Sequence, residues 1–79
     1  MTLKLFWKAD CPRCPAAKEA ISDIEDVEFY NLDESAGLAE AAFYRIMSTP
    51  SLVISREDGT EVKSFRGEVP ASQELAPWL

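Results

Sequence analysis

Apolar residues along this chain are spaced as in β-strands at four places. Residues 3–7 read Leu-Lys-Leu-Phe-Trp, half alternating and then apolar, which predicts a first strand. Residues 27–32 alternate well enough for a second strand, and the compact apolar run at 52–54 is typical of a buried third strand. Val62 and Phe65 are expected to face inward on a fourth strand, which ends at Gly67.

Between these strands, apolar residues recur at helical spacing. Pro12 stands where a first helix would begin, because a proline in the first turn gives up a hydrogen bond that is unmade anyway, and the apolar face continues to about Ile24. Asp33 or Ser35 is expected to cap a second helix. The apolar face of the second helix is expected to hold Leu38, Ala39, Ala42, Phe43 and Ile46. Pro77 predicts that a final helix is short or kinked. The apolar residues of that helix are Leu75, Trp78 and Leu79.

The residues 57–60, Glu-Asp-Gly-Thr, predict a hairpin between the last two strands, with Asp-Gly in a type I′ turn. The element order is then β-α-β-α-β-β-α. Its two strand–helix–strand steps predict parallel pairing with right-handed crossovers, and the hairpin adds an antiparallel pair. The sequence therefore predicts an α/β fold, a four-stranded mixed sheet with helices on both faces. At 79 residues, we expect one domain, residues 1–79.

Composition narrows the classes of partner. Eight basic against fourteen acidic residues give a net charge of −6, without a basic stripe that would favour nucleic acid or anionic membranes. The longest apolar run, about four residues, is far short of a bilayer span, and the amino terminus has no signal-peptide pattern, so we expect a cytoplasmic protein. The chain has no histidine, which removes Ser-His, Cys-His and His-rich zinc chemistry.

Both cysteines lie in one short motif, Asp10-Cys11-Pro12-Arg13-Cys14-Pro15, and four interpretations compete. A structural disulfide across four residues would contribute only about 2 kcal/mol, against about 3 kcal/mol for a fifteen-residue loop. A zinc or iron–sulfur site usually needs four ligands, so it would have to be shared between two subunits. Two inert buried thiols are the third interpretation. The fourth is a catalytic redox pair, which the spacing at a helix start favours.

The physical case for a redox pair concerns the ionisation of one sulfur. A thiolate attacks disulfides, and Cys11 is expected just before the first helical turn, where free backbone N–H groups and the helix dipole favour negative charge and lower its pKa. Arg13 and Lys8 are expected to assist as nearby cations, and Pro12 to set the start of the helix. Cys14, three residues on and deeper, would stay protonated until it attacks a mixed disulfide formed at Cys11.

With these residues in view, the chain resembles the thioredoxin superfamily, especially its small thioredoxin-like and glutaredoxin-like members. Phe6-Trp7 followed by Cys11 looks like the thioredoxin strand that leads into the active site. Cys11-Pro12-Arg13-Cys14 is similar to the glutaredoxin Cys-Pro-x-Cys motif. Thr49-Pro50, directly before an apolar strand, looks like the cis-proline segment of the family.

The resemblance implies that Cys11 attacks and Cys14 resolves. It also implies that the Thr49–Pro50 bond is cis and lies beside the sulfurs, where a neighbouring backbone edge can pair with an extended client segment. Gly67 looks like the family's glycine after the last strand, which lets a client approach the site. Trp7 is a candidate platform for the substrate.

Two departures from the family pattern concern the site. Leu5 stands where thioredoxins carry a buried aspartate, so either Asp10, Lys18 or water helps to deprotonate the resolving cysteine, or the resolving step is slower. Only Gly67-Glu68 is present where glutaredoxins carry a Gly-Gly segment for glutathione.

We therefore expect a protein-disulfide reductase that cycles between dithiol and disulfide, an electron carrier without a cofactor or metal. Its partners would be client proteins with disulfides and a thioredoxin- or glutaredoxin-type reductase system, and it would be a monomer. The alternatives are a metal-binding scaffold, zinc or iron–sulfur, at a dimer interface, and an adaptor that has kept the fold and lost the chemistry.

Overall fold

The computed structural model describes residues 1–79 as one four-stranded sheet with helices on both faces, which confirms the predicted fold class. The strands are β1 (Thr2–Trp7), β2 (Val27–Asn31), β3 (Ser51–Ser55) and β4 (Glu61–Arg66). The helices are α1 (Cys14–Ala20), α2 (Ser35–Phe43) and α3 (Ser72–Leu75), and a 3-10 turn at Ala76–Trp78 follows α3. None of the helices has the length and apolar character of a bilayer-crossing segment.

The strands are arranged in the order β2-β1-β3-β4. β1 and β2 are parallel, as predicted, and β3 and β4 form the predicted antiparallel hairpin. The second strand–helix–strand step is not a parallel crossover, because β3 pairs antiparallel with β1 and is not a neighbour of β2 in the sheet. The reason is the segment 44–50, which returns the chain to the end of the sheet where β1 finishes, so that Phe6 lies opposite Ser51.

Each face of the sheet buries its own apolar cluster. Alternate side chains of the strands point to opposite faces, so Leu5 packs towards α1 and α3 while its neighbour Phe6 packs towards α2. The cluster under α1 and α3 consists of Leu3, Leu5, Ala17, Ile21, Leu52, Ile54, Phe65 and Leu75. The cluster under α2 consists of Phe6, Leu32, Ala41, Tyr44, Ile46 and Val53. The two clusters together fix both ends of β1, the strand that leads to the cysteines.

The buried face of α2 differs from the predicted one. Leu38 and Phe43 are 56% and 71% exposed, and Ala39 and Ala42 are exposed too, whereas Gly37 and Ala41 face the sheet. The cause is a close approach of the helix to β2: a Cβ on Gly37 would lie 2.1 Å from the carbonyl oxygen of Asn31. Only small residues fit that contact, so the larger apolar side chains are rotated outward. Ile46 is buried as expected, but it lies beyond the end of α2.

Two predicted helix and turn details are also corrected. Neither Asp33 nor Ser35 caps α2 with its side chain; Glu34 occupies the cap position, and Asp33 instead accepts a hydrogen bond from the Ala9 amide. The hairpin is not type I′. Its turn hydrogen bond joins the Gly59 amide to the Arg56 carbonyl, and only Gly59 has a positive φ (90°), which is the pattern of a turn followed by a bulge.

A partly buried ion pair ties α2 to β1. The ammonium of Lys4, 11% exposed, lies 2.6 Å from a carboxylate oxygen of Glu40 and donates to the Tyr44 hydroxyl at 3.1 Å. The Tyr44 hydroxyl donates in turn to the Gly59 carbonyl at 2.8 Å. Burial alone would lower the pKa of Lys4, but the hydrogen bonds to Glu40 and Tyr44 outweigh it and raise the pKa above its usual range. Burial, together with a hydrogen bond to Glu28, raises the pKa of the nearby Tyr30 to about 12.

The end of the chain agrees with the prediction from Pro77. α3 is a single turn, and the 3-10 turn that contains Pro77 follows it directly. Leu75 is buried in the core, Trp78 is half-buried against it, and Leu79 is about half exposed. The final element therefore covers the sheet mainly with one side chain.

Candidate redox site

Cys11 and Cys14 are joined by a disulfide, with their Cα atoms 5.4 Å apart. The two sulfurs differ in their access to solvent, because Cys14 is only 2% exposed whereas Cys11 is half-buried. The amide of Cys14 donates to the carbonyl of Cys11 at 3.3 Å, which closes a turn around the pair. The structure therefore places an accessible sulfur next to a protected one, which is the arrangement that a redox pair requires.

The helix begins later than predicted. α1 starts at Cys14 rather than Pro12, Arg13 occupies the cap position, and Pro15 is the proline of the first turn. The turn closed between Cys11 and Cys14 takes up the residues that the pattern assigned to the helix. Cys11 lies three residues ahead of the helix, and Pro12 and Pro15 offer it no N–H group. The amino-terminal end of α1 therefore stabilises a Cys11 thiolate that lies outside the first helical turn.

The Thr49–Pro50 peptide bond is cis, Pro50 is buried, and Thr49 is half-buried. This bond directly precedes β3, whose first residue Ser51 pairs with Phe6 near the end of β1. The cysteine loop leaves the sheet from that same end of β1. The pairing of β1 with β3 thus brings the cis-proline segment and the cysteine loop to the same end of the sheet.

Gly67 links the surrounding segments through both of its backbone groups. Its carbonyl accepts a 2.7 Å hydrogen bond from the guanidinium of Arg13, and its amide donates to the hydroxyl of Ser51 at 3.1 Å. The Ser51 hydroxyl donates to the Ser48 carbonyl at 2.8 Å. A glycine is needed here because φ is +71° and a Cβ would lie 2.9 Å from the Ser48 hydroxyl. The cysteine loop, the cis-proline segment and the end of β4 are therefore connected at Gly67.

The remaining predicted site residues lie around the base of the cysteine loop. Trp7, the last residue of β1, is half-buried, and the ammonium of Lys18 lies 3.6 Å from the centre of its ring, a cation–π contact. Lys8 and Asp10 are exposed in the loop. Leu5, at the position where the resemblance has an aspartate, is fully buried in the apolar cluster under α1. The ammonium of Lys18 thus contacts the Trp7 ring, and Leu5 offers no polar group at the buried position.

Ser51 and the Lys18–Trp7 contact are the parts of the site that the sequence pattern did not identify. A serine inside a buried strand is a usable signal, since a buried hydroxyl almost always has a hydrogen-bond partner. The partner, however, comes from Gly67, sixteen residues away. No group of three or more His, Cys, Asp or Glu side chains is arranged to hold a metal, so a metal centre on this pair would need ligands from a second chain.

A disulfide between one shielded and one accessible cysteine, at the start of a helix, is the arrangement expected of a thiol–disulfide redox protein. The thioredoxin domain model matches residues 1–79. A thioredoxin of Methanocaldococcus jannaschii is 33% identical over 60 residues, which are 67% of this chain and 68% of that protein. The chain belongs to the thioredoxin domain family, and it is a redox protein of that family.

Solved structures agree with the fold. Thioredoxin 1 of Thermosipho africanus superposes with a TM-score of 0.71 at 17% identity, over 96% of this chain and 88% of that one. The thioredoxin-like protein BC3987 superposes with a TM-score of 0.65 at 23% identity, over 99% of this chain and all of that one. At such identities the likeness concerns the fold alone.

Proposed function

We propose that this protein reduces disulfides in client proteins. In the dithiol form, the Cys11 thiolate attacks one sulfur of a client disulfide; a Cys11–client bond forms, the client disulfide breaks, and the second client sulfur leaves as a thiolate. Cys14 then loses its proton and attacks the Cys11 sulfur, which forms the Cys11–Cys14 disulfide and releases the first client sulfur. Two electrons pass from the cysteine pair to the client.

The observation that carries this proposal is the unequal exposure of the two sulfurs. A client disulfide can approach only the half-buried Cys11, while Cys14, at 2% exposure, is reached only from within the protein. This separation supports the proposed roles, attack by Cys11 and resolution by Cys14. A structural disulfide would gain nothing from leaving one of its sulfurs accessible.

The surroundings of Cys11 support a protein client. The cysteine loop lies at the same end of the sheet as Trp7, Thr49, Pro50 and Gly67. The backbone beside Pro50 is suited to pair with an extended peptide. Pro12, Arg13 and Lys8 belong to the loop itself, where Arg13 and Lys8 supply positive charge for the thiolate. This protein would act in the cytoplasm as a monomer of one domain, with no bound cofactor. A thioredoxin- or glutaredoxin-type reductase system would restore its dithiol.

The test is the reduction of insulin disulfides with dithiothreitol as the electron source. We expect Cys11→Ser to abolish turnover, because the attacking sulfur is gone. We expect Cys14→Ser to accumulate a covalent adduct with the client that dithiothreitol releases. Ser22→Ala, at an exposed position beyond α1, is the matched control and keeps full activity. Full activity of the Cys11→Ser protein would overturn the proposal.

A further inference from the structure

Ser51 is a fully buried polar residue at the start of β3. Its hydroxyl accepts from the Gly67 amide and donates to the Ser48 carbonyl, so one side chain holds two loops that are distant in sequence. Ser48 lies at the beginning of the cis-proline segment, and Gly67 lies directly after β4. Neither the cysteines nor a client need contact this hydroxyl for it to act on both loops.

The pairing of β3 with β4 ends one residue before Gly67. Ser51 is opposite Arg66, so a regular antiparallel ladder would continue with residue 50 opposite Gly67. Residue 50 is proline, which has no N–H to donate to the Gly67 carbonyl, and that carbonyl accepts from Arg13 instead. The Gly67 amide donates to the Ser51 hydroxyl at 3.1 Å. The Ser51 hydroxyl thus holds Gly67 one residue beyond the last paired residues of β3 and β4.

The opposite side of Gly67 is also held, since its carbonyl accepts from Arg13 of the cysteine loop. Ser51 and Arg13 therefore hold Gly67 from its two backbone groups, the amide and the carbonyl. A serine with only a packing role would not explain why both of its hydrogen bonds go to segments beside the cysteines.

We propose that Ser51 is a positioning residue for the thiol–disulfide reaction, setting the cis-proline segment and Gly67 at the spacing that an extended client segment requires. The inference rests on the proposed reduction of client proteins. It predicts an effect on the binding of peptide clients and none on the chemistry of the cysteines, because the hydroxyl contacts the loop backbones rather than a sulfur. A small disulfide, which has no peptide segment to dock, should not depend on Ser51.

The experiment compares insulin with the small aromatic disulfide 5,5′-dithiobis(2-nitrobenzoate). For Ser51→Ala we expect KM for insulin to rise about tenfold, the loss expected for a buried hydrogen-bond bridge, with kcat little changed. The rate with the small disulfide and the pKa of the Cys11 thiol should equal those of the wild type. Ser51→Thr keeps a hydroxyl and should restore KM. Ser55→Ala, a buried serine at the far end of the same strand, is the matched control and should leave KM unchanged.

Hydrogen exchange of the Gly67 amide adds a measurement that needs no turnover and no variant. In the wild-type disulfide form this amide should exchange at least tenfold more slowly than in an unstructured peptide. An unprotected Gly67 amide overturns the role of Ser51 whether or not the protein reduces insulin. The role of Ser51 is also overturned if the wild type is active and the Ser51→Ala variant keeps the wild-type KM for insulin. The same holds if the variant loses activity equally with insulin and with the small disulfide. A wild type without insulin activity but with a protected Gly67 amide overturns the client-reduction proposal, and with it the positioning role in that reaction.

Discussion

The guanidinium of Arg13 donates a 2.7 Å hydrogen bond to the carbonyl of Gly67, a residue 54 positions further along the chain. Arg13 lies between the two cysteines, so this bond joins the redox loop to the end of β4. The same side chain carries a positive charge within the loop that must accommodate a thiolate after reduction. One residue thus connects the geometry of the site with its electrostatics.

Replacing Arg13 with alanine should lower the reduction potential. A cation near Cys11 stabilises the thiolate, which belongs to the reduced form, so its removal favours the disulfide. An exposed charge contributes about 0.5–1 kcal/mol, which corresponds to about 10–20 mV for this two-electron couple. Equilibration with dithiothreitol or glutathione buffers measures the change. Arg13→Lys keeps the charge and should leave the potential unchanged, whereas an Arg13→Ala potential equal to or above the wild-type value contradicts the electrostatic role.

Gly37→Ala should destabilise the fold even though alanine is the better helix former. The intrinsic preference favours alanine by about 1 kcal/mol, but the new Cβ would lie 2.1 Å from the carbonyl oxygen of Asn31 and force α2 away from β2. We expect a net loss of about 2 kcal/mol in the free energy of unfolding, measured in urea on the disulfide form.

Ala39→Gly provides the control for this substitution. Ala39 is exposed on the same helix, so the change costs only the helix preference, about 1 kcal/mol. A Gly37→Ala protein more stable than the wild type would show that α2 does not approach β2 so closely.

Glu40→Ala should remove about 2 kcal/mol at pH 7, because it leaves the Lys4 ammonium, 11% exposed, without its carboxylate. The pKa of Lys4 is raised above 10.5 in the folded state, so the stabilisation is complete below pH 10.5 and is lost as the pH rises towards the folded-state pKa. The difference between wild type and variant should therefore be smaller at pH 11 than at pH 7 in urea unfolding.

The exposed pair of Arg66 and Glu61 is the control for this experiment. Its nitrogen–oxygen distance is 3.0 Å, but 38% and 35% of the two side chains are exposed. Glu61→Ala should cost less than about 1 kcal/mol. Equal losses for Glu40→Ala and Glu61→Ala would show that burial of the Lys4 pair has no energetic consequence.

Much of the fold could be predicted because the relevant patterns are local. The strand around Leu52 is apolar throughout, and the Asp58-Gly59 step marks a chain reversal, so both elements were found in the right order. The turn type was wrong because the bulge at the end of β3 depends on the partner strand. The buried face of α2 was wrong because the contact of Gly37 with Asn31 outweighs the greater hydrophobicity of Leu38 and Phe43.

By itself the sequence determined the element order, the α/β class and the two cysteines, since spacing, composition and a short motif are properties of neighbouring residues. Only the tertiary structure decided that β3 runs antiparallel to β1, that Cys14 is buried while Cys11 is half-buried, and that Gly67 is held by Ser51 and Arg13. Those features join residues far apart along the chain. Their energies depend on distances and burial, which exist only once the sheet has brought the segments together.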